Sequence, residues 1–400
     1  MQRPIAITGA GIISALGIGL EQTLGNLVDG VCPIGPIRHL QTGHSGLPCG
    51  EVDLSDSQLY DLCREDKERV IPRSSLLGIV AARQAEEDAG VVPGTRVALI
   101  NGTTVGGMDI TERYFNLFGN NPDYNSLIKL HLDGVTTDII ADALSCSVAY
   151  TDVISTACSA AANAIAFGAE LILSGKYDVV IAGGTECLTK FHLNGFNSLM
   201  ILDSNPCRPF DASRKGLNLG EGAAFLVMES KEHAEMRGAR IRALLSGWGN
   251  ACDAYHQTAS SPDGRGAICA MQAALDMAGL KPSDINYVNA HGTGTENNDL
   301  SEGVALMTLF GDKMPYVGST KCFTGHATSA AGALEAVISI LCLQNRFVPA
   351  NLRFETKDPG LNFCPVTENL MDVELRHVMS NSFGFGGNDS SLIFSSACPI

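Results

Sequence analysis

Three side chains suited to acyl chemistry stand where loops or helices begin. Cys158 lies in Thr156-Ala157-Cys158-Ser159-Ala160, between the apolar pair Val153-Ile154 and a helix of small residues running to about Ser174. A cysteine there faces the free N–H groups of a helix N-terminus, whose dipole favours the thiolate, the form that attacks carbonyls. The other twelve of the 13 cysteines read as small buried hydrophobes. His291 emerges in Asn289-Ala290-His291-Gly292-Thr293-Gly294-Thr295 at the C-terminal end of a strand, where open α/β sheets carry their chemistry. Lys321-Cys322-Phe323-Thr324-Gly325-His326 brings an ammonium and a second imidazole just before another small-residue helix, and Glu335 lies on that helix. Near the C-terminus, Asn381-Ser382-Phe383-Gly384-Phe385-Gly386-Gly387-Asn388-Asp389 offers backbone N–H groups to an oxyanion, with Phe385 as a movable lid.

The elements that must position these groups follow from short apolar runs alternating with helical patterns. Arg96–Ile100, Asp178–Ala182 and Ile285–Asn289 read as parallel strands of an α/β fold. Ala223–Met228 and Ser390–Phe394 follow glycine-rich loops and look antiparallel, so the sheet is expected to be mixed. Pro4–Thr8 reads as a buried strand, Gly9-Ala10-Gly11 as a loop, and Ser14 onward as an amphipathic helix closing near Asp29-Gly30. That reading replaces the superficial likeness of Arg3 to Leu20 to a signal peptide. Gly9-Ala10-Gly11 sits where a dinucleotide fingerprint would, but the third glycine and the acid at a second strand tip are missing. The helices beginning at Ser159 and Ser329 resemble each other at a spacing of 170 residues, which suggests two similar halves.

Composition narrows the function further. With 400 residues, 45% hydrophobic and 43 glycines, the chain builds a large core with many tight turns, which excludes disorder, collagen and coiled coil. A net charge of −16 gives no electrostatic basis for binding nucleic acid or an anionic membrane. An odd cysteine count with no CxxC argues against a disulfide framework and a cysteine-built zinc site, and points to a reducing cytoplasm. No apolar run reaches the length of about 18 residues needed to cross a membrane.

Taken in order, Thr156-Ala157-Cys158-Ser159-Ala160, His291-Gly292-Thr293-Gly294-Thr295, Lys321 with Gly325-His326, and Gly384-Phe385-Gly386-Gly387 resemble the β-ketoacyl-[acyl-carrier-protein] synthases of the KAS I/II group. Arg208-Pro209-Phe210-Asp211 and Gly220-Glu221-Gly222-Ala223-Ala224 extend the resemblance through the middle of the chain. It implies a thiolase-like α/β fold of two pseudo-equivalent halves, 1–235 and 236–400, in a five-layered αβαβα arrangement with mixed sheets. The reaction implied is decarboxylative condensation of malonyl carrier with an acyl chain held on Cys158. His291 and His326 would donate to the malonyl thioester carbonyl, and the backbone N–H groups of Cys158 and Phe385 would hold the acyl oxyanion. Lys321 and Glu335 would stand behind His326. Thr293 and Thr295 match threonines that bind the pantetheine arm, Phe385 and Gly386 would face substrate from their loop, and Val105 matches a position at the far end of the acyl pocket.

The same resemblance implies no permanently bound cofactor and no metal, a phosphopantetheine arm delivered by an acidic acyl carrier protein, and a homodimer or a heterodimer with a cysteine-lacking homologue. Cations available for the carrier are Arg64, Lys67, Arg69 and Arg73, with Arg214 and Lys215 nearer the cysteine loop. Two departures from the family pattern stand out: Glu296-Asn297-Asn298 where a proline usually follows the second threonine, and Asn388-Asp389 where a Thr-Asn or Asn-Asn pair is usual. They put acids near the pantetheine path and bring aryl-polyene, flexirubin-like and type II polyketide assembly into view beside fatty acid elongation. A non-condensing chain-length partner would lack the nucleophile. A thiolase would carry a second cysteine in place of the second histidine, and Cys398 is in the wrong context for that.

Overall fold

Glycines at alternate positions of a strand share one face, and there they let a helix come close. Gly9 and Gly11 do this in β1 (Ile5–Ser14). A Cβ on Gly9 would lie 2.3 Å from the carbonyl oxygen of Ala85, and one on Gly11 2.0 Å from that of Ala81, both on the helix Arg73–Ala89. The expected loop at Gly9–Gly11 is therefore strand interior, and the following helix is confined to Gly19–Val28. The same device recurs in β7 (Ala243–Cys252). Gly247 and Gly249 there would meet the carbonyl oxygens of Ala274 and Ala270, on the helix Arg265–Ala278, at 2.3 and 2.1 Å.

The computed structural model describes residues 4–397; Cys398 lies outside them. The remaining strands are β2 (Gly17–Ile18), β3 (Arg96–Gly102), β4 (Ser147–Ile154), β5 (Val179–Glu186), β6 (Gly222–Ser230), β8 (Tyr287–Asn289), β9 (Tyr316–Gly318), β10 (His377–Gly384) and β11 (Asn388–Ser395). They pair in the order β4-β3-β5-β6-β1-β7-β11-β10-β8-β9, with β2 beside β1. From the β4 edge inward the first five pair parallel, parallel, antiparallel, antiparallel. From the β9 edge inward, β9, β8, β10, β11 and β7 repeat that pattern. The two halves thus share one topology, with β1 and β7 joining them through a short antiparallel ladder. The helix Lys231–Met236 connects them, and the expected boundary at 235/236 falls inside it.

Five layers follow from which apolar faces meet. The helices Ala160–Leu173 and Ala331–Asn345 bury their small residues in one cluster with Ile5, Ile7, Val378 and Phe394, so they lie between the two half-sheets. The helix Arg73–Ala89 covers the outside of the first half-sheet, and the helices Arg265–Ala278 and Glu296–Phe310 cover the second. The central helices begin at equivalent places, just after β4 and after the loop that follows β9. The residues that could do chemistry therefore converge at the mouth between them.

Candidate active site

Cys158 sits in the 3₁₀ turn Ala157–Ser159 that opens the Ala160–Leu173 helix. Ala157 before it takes φ +51°, the left-handed region that a residue with a Cβ enters only when its surroundings hold it there. The end of β10 passes so near that a Cβ on Gly384 would stand 3.0 Å from the Thr156 oxygen and 3.2 Å from the Cys158 nitrogen. His291 follows β8, Lys321 begins the short helix after β9, and His326 lies just beyond Gly325, which turns at φ +70°.

These groups meet in the interior. His326 Nε2 lies 3.1 Å from Cys158 Sγ, and the two imidazole rings stand edge to face with centroids 5.3 Å apart. Lys321 Nζ is 3.3 Å from His291 Nδ1 and pairs with the Glu335 carboxylate. Lys321 was expected behind His326, and its hydrogen bond instead goes to His291. Both follow strands of the same half-sheet, and β8 runs beside β9. An ammonium can only donate, so Nδ1 of His291 is the acceptor and its ring hydrogen is on Nε2. His326 Nδ1 has no hydrogen-bond partner among the described residues, so neither tautomer of that ring is locked.

Burial sets the charge state. It drives both imidazoles well below the usual histidine range, with the Lys321 charge adding to the effect. Burial also pushes the Cys158 thiol up to about 11, although the Lys321 charge and the Phe385 and Cys158 backbone N–H groups favour the thiolate. The thiolate expected at the helix N-terminus is thus overruled by desolvation. At neutral pH the 3.1 Å contact joins a thiol to a neutral imidazole. Burial raises Glu335 to about 7 against the opposing pull of Lys321.

A cavity of about 380 Å³ leads to these groups, lined by Cys158, His291, His326, Thr293, Thr295 and Phe385 among others. The two threonine hydroxyls are 2.9 Å apart, and Thr295 also accepts from the Asn298 N–H at the start of the Glu296–Phe310 helix. Phe385 stacks on Phe196 with centroids 5.7 Å apart, closing one wall. Gly386 stands just outside the lining and donates its N–H to the Gln257 oxygen at 2.8 Å. Val105 is buried in the turn after β3 and is not on this cavity. A second cavity of about 410 Å³ lies apart, and its charged wall is taken up largely by ion pairs of Arg73 and Arg113.

Several residues escaped the sequence reading. The buried Glu302 carboxylate accepts from the N–H groups of His291 at 2.9 Å and Gly292 at 2.7 Å, and Asp299 accepts from that of Gly294. Their spacing of three on one helix was the available signal. Two of the proposed surface cations are interior. Arg73 pairs with Glu221 and Asp56, and Arg214 pairs with Asp358 while donating to the carbonyls of Thr295 and Glu296. Arg64, Lys67 and Arg69 are exposed, and Lys215 is both exposed and on the cavity wall. Of the two acids expected near the pantetheine path, Glu296 lines the cavity, whereas Asp389 is buried behind the Phe385 loop.

Residues 2–234 match the family described as Beta-ketoacyl synthase, N-terminal domain, and residues 242–355 match Beta-ketoacyl synthase, C-terminal domain. The chain is 34% identical over 406 residues to 3-oxoacyl-[acyl-carrier-protein] synthase 2 of Staphylococcus aureus (strain COL), covering 98% of this chain and 97% of that one. Its fold is similar to that of the ishigamide ketosynthase/chain length factor, with a TM-score of 0.88, 30% identity and full coverage of both chains. It is also similar to a type II PKS ketosynthase solved in complex with its acyl-carrier protein and bound to the hexaketide, with a TM-score of 0.87, 26% identity and full coverage of both.

Proposed function

The chain belongs to the β-ketoacyl synthase family and is a condensing acyltransferase, and from that premise we propose that Cys158 carries the acyl chain while His291 and His326 handle the extender. The observation that carries this reading is the thiol 3.1 Å from an uncharged imidazole, with a second imidazole edge-on to it. In the first half-reaction Cys158 Sγ attacks the acyl thioester of the carrier. Its proton passes to His326 Nε2 and on to the departing carrier thiolate, leaving acyl-Cys158 and a neutral ring.

In the second half-reaction malonyl carrier occupies the cavity, its pantetheine arm along Thr293 and Thr295. The Nε2–H of His291, fixed there by Lys321, and a ring N–H of His326 donate to the thioester oxygen. The bond to the carboxylate breaks, carbon dioxide leaves, and the electron pair becomes an enolate stabilised by those two donors. Neutral rings with free N–H groups suit this step, because they strengthen toward the developing charge without trapping a proton. The enolate carbon attacks the acyl carbonyl, whose oxyanion faces the N–H groups of Cys158 and Phe385, each worth about 3 kcal/mol. The C–S bond then breaks, and the Cys158 thiolate takes up one proton from solvent, the proton that the decarboxylative condensation consumes overall.

The partner is an acyl carrier protein, as in the neighbouring complex, met at the cavity mouth by Lys215, with Arg64, Lys67 and Arg69 as the other exposed cations. The half ending at 235 supplies the nucleophile and the half from 236 supplies both histidines, Lys321 and the Phe385 loop. The chain works as a dimer through the open edge of β4, Val105 lies at the far end of the acyl path, and the compartment is the cytoplasm. Twelve free cysteines among the described residues support the last of these. A non-condensing chain-length subunit is not favoured, because nucleophile and both histidines are present and assembled. Pathway is read from the acyl group. Intact-protein mass spectrometry with a panel of acyl carriers, followed by peptide mapping, is expected to label Cys158 and to leave Cys158→Ala unlabelled and inactive in condensation. Loading by saturated chains assigns fatty acid elongation, and loading only by aryl or polyene primers assigns a specialised pathway. A Cys158→Ala variant that still condenses would sink the reading.

A further inference from the structure

Glu186, the last residue of β5, plays no part in the chemistry above, yet five donors converge on its fully buried carboxyl. Three come from the turn after β3: the Thr103 hydroxyl at 3.1 Å, the Thr104 N–H at 3.0 Å and the Thr104 hydroxyl at 2.6 Å. Two come from beyond His326: the Thr328 hydroxyl at 3.4 Å and the Ser329 hydroxyl in a closer contact. No lysine or arginine pairs with this carboxyl among the described residues. A buried acceptor without a cation persists only where several donors hold it, so the arrangement is specific to these two segments.

The His326 side needs holding. Thr328 takes φ +41°, a left-handed conformation unfavourable for a β-branched residue, in the turn Thr328–Ala330 that starts the Ala331–Asn345 helix. His326 is two residues upstream, with its own backbone bound to Asn218 and Gly220. Its Nδ1 has no partner among the described residues, so the ring is oriented by its backbone and packing. We infer that Glu186 is a positioning residue for His326, its carboxyl tying the Thr328–Ser329 turn to the rigid end of β3 through Thr103 and Thr104. Four of the five donors share Oε2, so loss of an anchor on the β3 side is felt on the His326 side.

This inference rests on the proposed role of His326, and the test separates the two. The readouts are the rates of malonyl-carrier decarboxylation and of Cys158 acylation by an acyl carrier, both of which use the His326 ring, with thermal melting alongside. Glu186→Ala is expected to lower both rates about tenfold or more, as small displacements of a catalytic group do. Ser329→Ala removes one donor near His326, and Thr104→Val removes one on the distant anchor. Both are expected to lower the two rates in the same sense with little change in melting. Glu186→Gln restores most of the activity, because the amide oxygen can take the Oε2 donors while its NH2 faces the Thr103 hydroxyl, which can accept. Rates unchanged in Glu186→Ala and Ser329→Ala, or a Glu186→Gln variant as slow as Glu186→Ala, overturn the inference. If His326→Ala itself leaves both rates unchanged, the failure belongs to the assignment of His326.

Discussion

Burial moves acids and bases here in opposite directions, and the effect is measurable at Asp389. Its carboxyl is pushed up to about 8, first by burial and then by the nearby Asp253 and Glu302. Below about pH 4 both the folded and unfolded chains hold this proton, so it has no effect on stability. Between its ordinary value of 3.8 and about 8 the unfolded chain releases the proton and the folded chain keeps it. The folded state then binds more protons, stability falls as pH rises through that window, and the loss levels off above it. Asp389→Asn cannot titrate. It is expected to lie close to the parent at pH 4 and to exceed it by several kcal/mol at pH 8.5, up to about 5 kcal/mol for a window of that width, read from urea midpoints at both values. Parallel curves for the two proteins across that range would contradict the assignment. The same physics explains which residues were legible. Cys158, His291, His326 and Lys321 could be picked out by type and by their places at loop and helix starts, and Glu335 by its place on the helix that follows His326. Glu186 could not, and Glu302 offered only its spacing of three from Asp299, because their work is to accept from backbone amides or hydroxyls brought near only by folding. The charge state of Cys158 and the burial of Arg73 and Arg214 likewise depend on packing that spacing does not encode.

Secondary elements were easier to read than their junctions. The alternation of β-rich runs and helices foretold a mixed sheet, and the resemblance of the two small-residue helices foretold the repeated topology. The error at Gly9–Gly11 came from reading glycine as a break. In β1 and β7 the glycines stand two apart on the face that meets a helix, and a turn would not require that spacing. If close approach is their purpose, an added methyl must either push the helix away or be absorbed by strand distortion. Gly11→Ala and Gly249→Ala, whose Cβ atoms would meet helix carbonyls at 2.0 and 2.1 Å, are each expected to destabilise their half by about 3 kcal/mol. Equilibrium urea unfolding checks this. Gly30→Ala, at a site with nothing within 4 Å but a φ of +67°, serves as a control whose cost is backbone strain alone, about 1 kcal/mol. A loss no greater than that control at Gly11 and Gly249 would mean the close contacts are not what the glycines serve.

At the scale of the whole molecule, the two ends of the sheet are unequal. β9 is three residues long, whereas β4 runs for eight, pairs only with β3, and contains neither lysine nor proline to discourage another strand. Tyr150 on β4 is 37% exposed, and Ile128 and Leu132, in the segment leading to the Asp133–Asp142 helix beside it, are 57% and 59% exposed. An edge of this length and apolar surround suits antiparallel pairing with β4 of a second copy, which would join the two sheets and remove both open edges. Opposing this is a net charge of −16 on each copy. Association is therefore expected to tighten as salt rises from about 20 to 300 mM, because screening weakens repulsion between the bodies while the apolar contact persists. Sedimentation equilibrium should find dimers at micromolar concentration, and Tyr150→Lys, which places a hydrated charge on the pairing edge, should shift the chain to monomer. If the parent sediments as a monomer at every salt concentration while still condensing, the β4 edge is not an interface and the acyl path is complete within one copy.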